Sequence, residues 1–215
     1  MDELDILKKN WQAGEHEYPK LTYKDIYKML LKKSSSIVKW IFLISIGELI
    51  LWTGLAFLVP ESSKVINEEI GLKTTFLILN IINYVIFGIF IVLFYKNYKK
   101  IQVTDSIKTL LENILRTRKT VKYFVIYNVG TAIILLIAVN LYYYTKQDQL
   151  YSIMTEAYSA YATIPPETFT SVFFMGQLIG GVIMVGILLI FYRLVYGILL
   201  KRLKKNYKEL KKIEV

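Results

Sequence analysis

Four stretches of this chain, Ile37 to Val59, Thr75 to Tyr95, Lys122 to Tyr144 and Val172 to Tyr196, are apolar all round and nearly free of charge. A helix in a water-soluble core needs only an apolar stripe, whereas a bilayer span needs about 20 residues that show lipid no unpaired charge. Within hydrocarbon a segment must also satisfy its own backbone hydrogen bonds, which a helix does. An outer-membrane barrel would read as short alternating segments instead. The expected fold is all-α: an integral membrane four-helix bundle with amphipathic cytoplasmic and extracytoplasmic helices.

The chain then divides into a leader (1–36), the first span (37–59), an outer loop (60–74), the second span (75–95), a middle connection (96–121), the third span (122–144), a longer outer loop (145–171), the fourth span (172–196) and a basic tail (197–215). No small-residue cleavage site follows the first span, so it is expected to remain as an anchor rather than be removed as a secretory signal. The sequence has no cysteine, which excludes disulfides and thiolate metal sites.

The net charge of +10 is sorted by side. The leader, the middle connection and the tail hold seven Lys and Arg each, and the two outer loops hold three between them. Cytoplasmic segments keep such an excess, so both termini and the middle connection are expected in the cytoplasm of a bacterial inner (plasma) membrane protein. A nucleic-acid partner would call for basic residues on a folded module with base-stacking aromatics. Anionic lipid headgroups account for these segments more simply, and nucleic acid is not expected. Trp40 and Tyr123 fall near the inner boundary and Tyr142, Tyr143 and Tyr144 near the outer one, where amphipathic rings are favoured.

The segments outside the spans are amphipathic. In the leader, Leu4, Leu7 and Trp11 recur on one helical face; then Thr22 and Asp25 form a start signal, with Leu21 and Ile26 placed as a hydrophobic staple and Ile26, Met29 and Leu30 as a stripe. The middle connection aligns Ile107, Leu110, Leu111, Ile114 and Leu115 after a Thr104–Asp105 start. In the tail, Tyr196, Leu200, Leu203, Tyr207 and Leu210 form a seam for another helix. These faces either pack on one another or lie in the headgroup layer, completing a membrane-proximal bundle, or the leader stripe docks a cytoplasmic protein as a helix in a groove. In the longer outer loop, Leu150, Met154, Ala157 and Tyr161 share a face that ends at Pro165 and Pro166, which suits an interfacial helix.

Two segments also resemble each other. "IVKWIFLISIGE" and "TVKYFVIYNVGT" each open an outward-going span and each place a glycine, Gly47 or Gly130, eight residues after the lysine. Two parallel helical-hairpin repeats would produce this pattern.

The first span carries one carboxylate, Glu48, near its centre. An ionised acid in hydrocarbon costs about 2.5 to 3.5 kcal/mol on insertion scales, so Glu48 is expected to face protein or water. Asn83 and Tyr84 of span two, Asn128 and Thr131 of span three and Gln177 of span four are the candidate members of an intramembrane polar cluster around it. Gly180 and Gly181 are the candidate helix-packing pair. Such a cluster can carry a proton or bind a cation, or it can serve only to fix helix register.

No catalytic residue, metal ligand set or cofactor is indicated. The single histidine, His16, lies in the leader within "HEYPK", which is no metalloprotease motif; "GQLIGG" lies inside span four and reads as helix packing. The chain is expected not to be an enzyme.

"MDELDILKKNWQ" and "YKDIYKMLLKKSSSIVKWIFLISIGE", most of all "KKSSSIVKWIF", resemble a family of uncharacterised four-span inner-membrane proteins of flavobacteria-like bacteria. Some members are labelled carotene monooxygenases; that label implies a histidine-bearing metal site, which this sequence lacks. Others accompany sigma factors, which implies a membrane-tethered, anti-sigma-like regulator. Its docking face would be Leu4, Leu7, Trp11, Ile26, Met29 and Leu30. The alternative is a small transporter or ion-coupled membrane subunit centred on Glu48. A homo-oligomer through the glycine face of span four is compatible with either.

Overall fold

The computed structural model describes residues 8, 9, 22–104 and 106–213, and the elements it forms are helices: α1 (Tyr23–Phe57), α2 (Glu61–Glu69), α3 (Lys73–Gln102), α4 (Ile107–Thr145), α5 (Gln147–Ala157), α6 (Ser159–Ala162), α7 (Pro166–Tyr192), a π-helical turn (Arg193–Gly197) and α8 (Ile198–Ile213). Four rods, namely α1, α3, α4 and α7 with its continuation into α8, are long and apolar enough to cross a membrane. The chain is an all-α, multi-pass membrane bundle.

On the lysine-rich side, among the described residues, the amphipathic segments continue the spans rather than forming separate helices. At 35 residues, α1 is about 52 Å long, against about 30 Å of hydrocarbon, so its first turns project beyond the lipid. The same holds for the end of α3, the start of α4 and the whole of α8. No proline interrupts 23–57 or 107–145, so the helix has no reason to stop at the lipid boundary.

Thr22 caps α1 by accepting the Asp25 N–H at 3.3 Å, and the Asp25 carboxylate accepts the Thr22 N–H at 3.1 Å in return. The Thr22 bonds hold the Asp25 carboxyl below its ordinary value. A lowered folded pKa means the cap is complete above the usual Asp range and is lost as pH falls through the lowered value. Leu21 of the expected staple lies outside the described residues.

The start of α4 differs from expectation. Ser106 is the N-cap, accepting the Thr109 N–H at 3.2 Å, while Asp105 lies outside the described residues. Thr104 is buried and ties the turn together instead: its hydroxyl donates to the Lys100 carbonyl at 2.6 Å and accepts from Asn113 Nδ2 at 3.1 Å. Tyr27 of α1 donates to the Thr104 carbonyl at 2.9 Å, so this turn is also fastened to the first helix.

One core runs along the lysine-rich half of the bundle, from Leu30, Ile101, Ile114 and Leu210 at its tip to Phe87, Phe124 and Leu188 within the spans. Leu200 and Tyr207 pack on it and Leu203 lies within it, so the expected seam of the tail is filled by α1 and α4 of the same chain. A second core, at the opposite end, gathers Ile66, Ile70, Leu150, Ile153, Met154, Phe169 and Phe173. There α5 ends at Ala157, earlier than the prolines, because Tyr158 turns to extended backbone (φ −138°, ψ 111°). Ala157 is exposed while Leu150 and Met154 are buried. Gly71, at φ 89°, ends the α2 segment in the left-handed region that side chains disfavour. Tyr142 then donates to the Ile70 carbonyl at 3.0 Å.

The sequence resemblance between the two halves has a structural counterpart. At the offset of 83 that pairs Lys39 with Lys122, every position in 32–44 is as buried, half-buried or exposed as its partner in 115–127. Both halves then pass from a long helix through short helical structure to a second long helix, α2 alone in the first half and α5 with the one-turn α6 in the second. Two parallel hairpin repeats describe both facts.

The two candidate packing glycines part company. A Cβ on Gly181 would stand 2.5 Å from Leu136 Cδ2 of α4, whereas one on Gly180 would meet nothing within 4 Å. Gly181→Val is therefore expected to cost about 1–3 kcal/mol by crowding the Leu136 side chain between α4 and α7, and Gly180→Val to leave stability unchanged. Thermal unfolding of both variants in detergent checks this.

Candidate functional site

Glu48, on α1, is 3% exposed. Its carboxylate takes hydrogen bonds on both oxygens from one other rod. Tyr192, the last residue of α7, donates to Oε1, and Tyr196, in the π-helical turn, donates to Oε2 at 2.9 Å. Trp52, one turn along α1, adds its indole N–H to Oε1 at 3.4 Å. Both tyrosines are buried, at 3% and 1% exposure.

Spacing explains how the set assembles. Residues four apart share a helix face, so Glu48 stacks with Trp52 and Tyr192 with Tyr196. The π-helical turn of Arg193–Gly197 widens the rod beside the acid, a distortion that recurs at functional sites. Phe124 of α4 backs the tyrosines edge-on, with centroids 6.2 Å from Tyr192 and 5.7 Å from Tyr196.

These rings also fix the depth of the site. Phe124 packs on Phe94 at 5.4 Å, and these two residues stand two positions from Lys122 and Lys96 respectively. The ring layer is therefore at the lysine-side edge of the apolar zone, and the carboxylate lies just beyond it, in that half of the bundle rather than at mid-span. Helical side chains lean toward their own N-terminus. Glu48 leans toward the lysines and the antiparallel Tyr192 and Tyr196 lean away from them, so the groups meet between their Cα levels.

Among the described residues the hydrogen-bond partners of Glu48 are Trp52, Tyr192 and Tyr196, and the polar residues expected around it are elsewhere. Asn83 accepts from Tyr127 at 3.0 Å, and Tyr84 donates to Thr53 at 3.3 Å. Asn128 donates to the Phe124 carbonyl of its own helix at 2.8 Å, and Thr131 is half-buried on α4. Gln177 lines a cavity of about 370 Å³ at the opposite end, with Asn67, Tyr143, Tyr158 and Tyr161. Trp52, Tyr192 and Tyr196 were signalled only by the four-residue spacing of each pair.

The leader face divides similarly. Leu4, Leu7 and Trp11 lie outside the described residues. Leu30 is 3% exposed inside the lysine-side core, Ile26 is half-buried against it, and Met29 is 45% exposed.

The family described as a domain of unknown function (DUF8845) matches residues 24–215. The chain belongs to that family. The match covers most of the chain, including "KKSSSIVKWIF", but not the quoted "MDELDILKKNWQ". No curated protein and no solved structure matches.

Chemically, the site can hold one exchangeable proton. An ionised Glu48 accepts from all three donors; a protonated one must donate through one oxygen, and a phenol can reverse to receive that bond, whereas the indole N–H cannot. Removing the donors leaves a buried acid poorly satisfied. Tyr196→Phe is expected to lower stability by about 1.5–3 kcal/mol, and the double change with Tyr192→Phe by more. Unfolding in detergent at neutral pH is the measurement.

Proposed function

We propose that this chain is a non-enzymatic small transporter or ion-coupled membrane subunit in which Glu48 takes up and releases a proton or binds a cation. The observation that carries the reading is a carboxylate buried between the first and last long helices, with both oxygens engaged by tyrosines next to a π-helical turn. Intramembrane acids are costly, and those that are kept mark ion and proton paths more often than soluble-protein acids do. Protonation changes how many tyrosine hydrogens the acid can accept. The contact between α1 and the π-helical turn is thereby linked to proton occupancy, which is what coupling requires.

The lysine distribution supports placing the basic end, with both termini, in the cytoplasm of a bacterial inner membrane. The tethered-regulator reading, with docking through the leader and a sigma-factor partner implied by resemblance, has less support. Leu30, one of its contact residues, is packed inside the core. A homo-oligomer would have Gly180, which is exposed, rather than Gly181 at its contact.

In proteoliposomes with a pH dye inside, wild-type protein is expected to give proton-dependent flux and Glu48→Gln to give none at equal incorporation. Equal flux from the two proteins would refute the role of Glu48. Trp52 provides a second readout: its emission should change with pH in wild type and stay flat in Glu48→Gln.

A further inference from the structure

Below the acid, the same pair of rods opens into a groove of about 560 Å³ between α1 and α8. Lys32, Lys33 and Ser36 line one wall, and Arg202, Lys205 and Asn206 the other. We propose that this groove binds the phosphate headgroup of an anionic phospholipid from the lysine-side leaflet.

Charge is the first argument. Four cations converge on one concavity, and among the described residues no Asp or Glu lines it. Among the described residues Lys205 has a carboxylate near, Glu209 at 3.9 Å one turn further along the same face of α8, and no salt bridge engages Lys32, Lys33 or Arg202. Like charges gathered this way repel one another, and a phosphate offsets that repulsion while offering oxygens to several donors at once.

Depth is the second. The Phe42 ring lies 5.6 Å from that of Tyr95, the residue before Lys96, so Phe42 marks the apolar edge on α1. Ile37 stands five residues earlier, about 7.5 Å further out. The headgroup layer on each face of a bilayer is about 5–7 Å thick, so the end of the groove at Ile37 meets the outer edge of that layer, and Lys33, nine residues from Phe42 or about 13.5 Å out, faces the headgroups from the water side. Basic pockets between helices at this level suit anionic headgroups.

The third argument is that the groove is built rather than incidental. Asn206 is 6% exposed and donates to the buried Ser34 at 3.1 Å, which holds α8 on α1 and fixes the distance between the two basic walls. Ile37, at the membrane end of the groove, adds apolar lining for the glycerol and upper acyl carbons. None of this rests on the role of Glu48.

Native mass spectrometry of the full chain, released from detergent with phosphatidylglycerol or phosphatidylcholine added, tests the site. Wild type is expected to retain the anionic lipid and not the zwitterionic one. Lys33→Gln with Arg202→Gln should weaken retention about tenfold or more, whereas Lys100→Gln with Lys108→Gln, the same charge loss away from the groove, should not. Equal losses from the two pairs would mean diffuse attraction, and no loss from either would mean no site; both results overturn the proposal. Complete displacement by millimolar glycerol phosphate would identify a soluble-phosphate site and overturn the lipid assignment. If the first pair fails to fold, Lys32→Gln with Lys205→Gln gives the same comparison.

Discussion

A carboxylate in lipid has no water to solvate it, so it can be buried only where other groups of the chain supply donors. For Glu48 those donors come chiefly from one rod, through Tyr192 and Tyr196. That requirement fixes the rotation and height of α1 against α7 and α8. Roughly four turns nearer the basic tip, Ser34 and Asn206 meet in the same interface, with Val38, Ile41 and Leu203 buried between the two polar layers. The interface thus has polar contacts at two heights and apolar packing between them, and only one register satisfies both. The basic groove inherits its width from this register, since its walls are the flanks of the same two helices.

Different forces hold the two parts of each rod. Within hydrocarbon, lipid tails compete equally for apolar side chains, so packing, ring geometry and a few hydrogen bonds must decide the arrangement. Beyond it, water drives association in the ordinary way, at about 1.5–3 kcal/mol for each large side chain removed from solvent. Leu30, Ile101, Leu110, Ile114, Leu203 and Leu210 are such side chains, all at the lysine-rich tip. Because the helices run without a break from one medium to the other, the water-driven bundle aligns the lipid-embedded part. Ile26 and Leu30 of the leader stripe and the seam of the tail are thereby packed within the molecule, while Met29 stays exposed.

The four spans were legible because their signal, twenty apolar residues in a row, is local. So were the Thr22 cap and the seam of the tail, which depend on spacings within one helix. The partners of Glu48 were not, because they depend on relative helix height. A tyrosine near the end of span four looks distant from an acid at the centre of span one until opposite side-chain lean is taken into account. Asn83 and Asn128 were the obvious candidates by depth, yet each found a nearer acceptor or donor, Tyr127 in one case and its own helix in the other. Thr104 misled for a related reason: next to an aspartate it reads as a cap, whereas buried beside Asn113 it serves as the lock of a turn.

The two resembling halves hold one intramembrane acid between them and not two. At the offset that aligns Val38 with Val121 and Ile41 with Phe124, all four fully buried, Glu48 corresponds to Thr131. A threonine hydroxyl can bond within its own helix and needs no partner from another. The halves therefore share a packing face over 32–44 and 115–127 and differ in chemistry at the level of Glu48. That level lies where the first long helix meets the last, between residues 144 to 148 positions apart in sequence. The other neighbours around the bundle, α1 with α3, α3 with α4 and α4 with α7, are joined through short connections that bring them together. α1 and the α7–α8 rod must find each other without such a connection, and it is there that two tyrosine donors from one rod meet the carboxylate of the other.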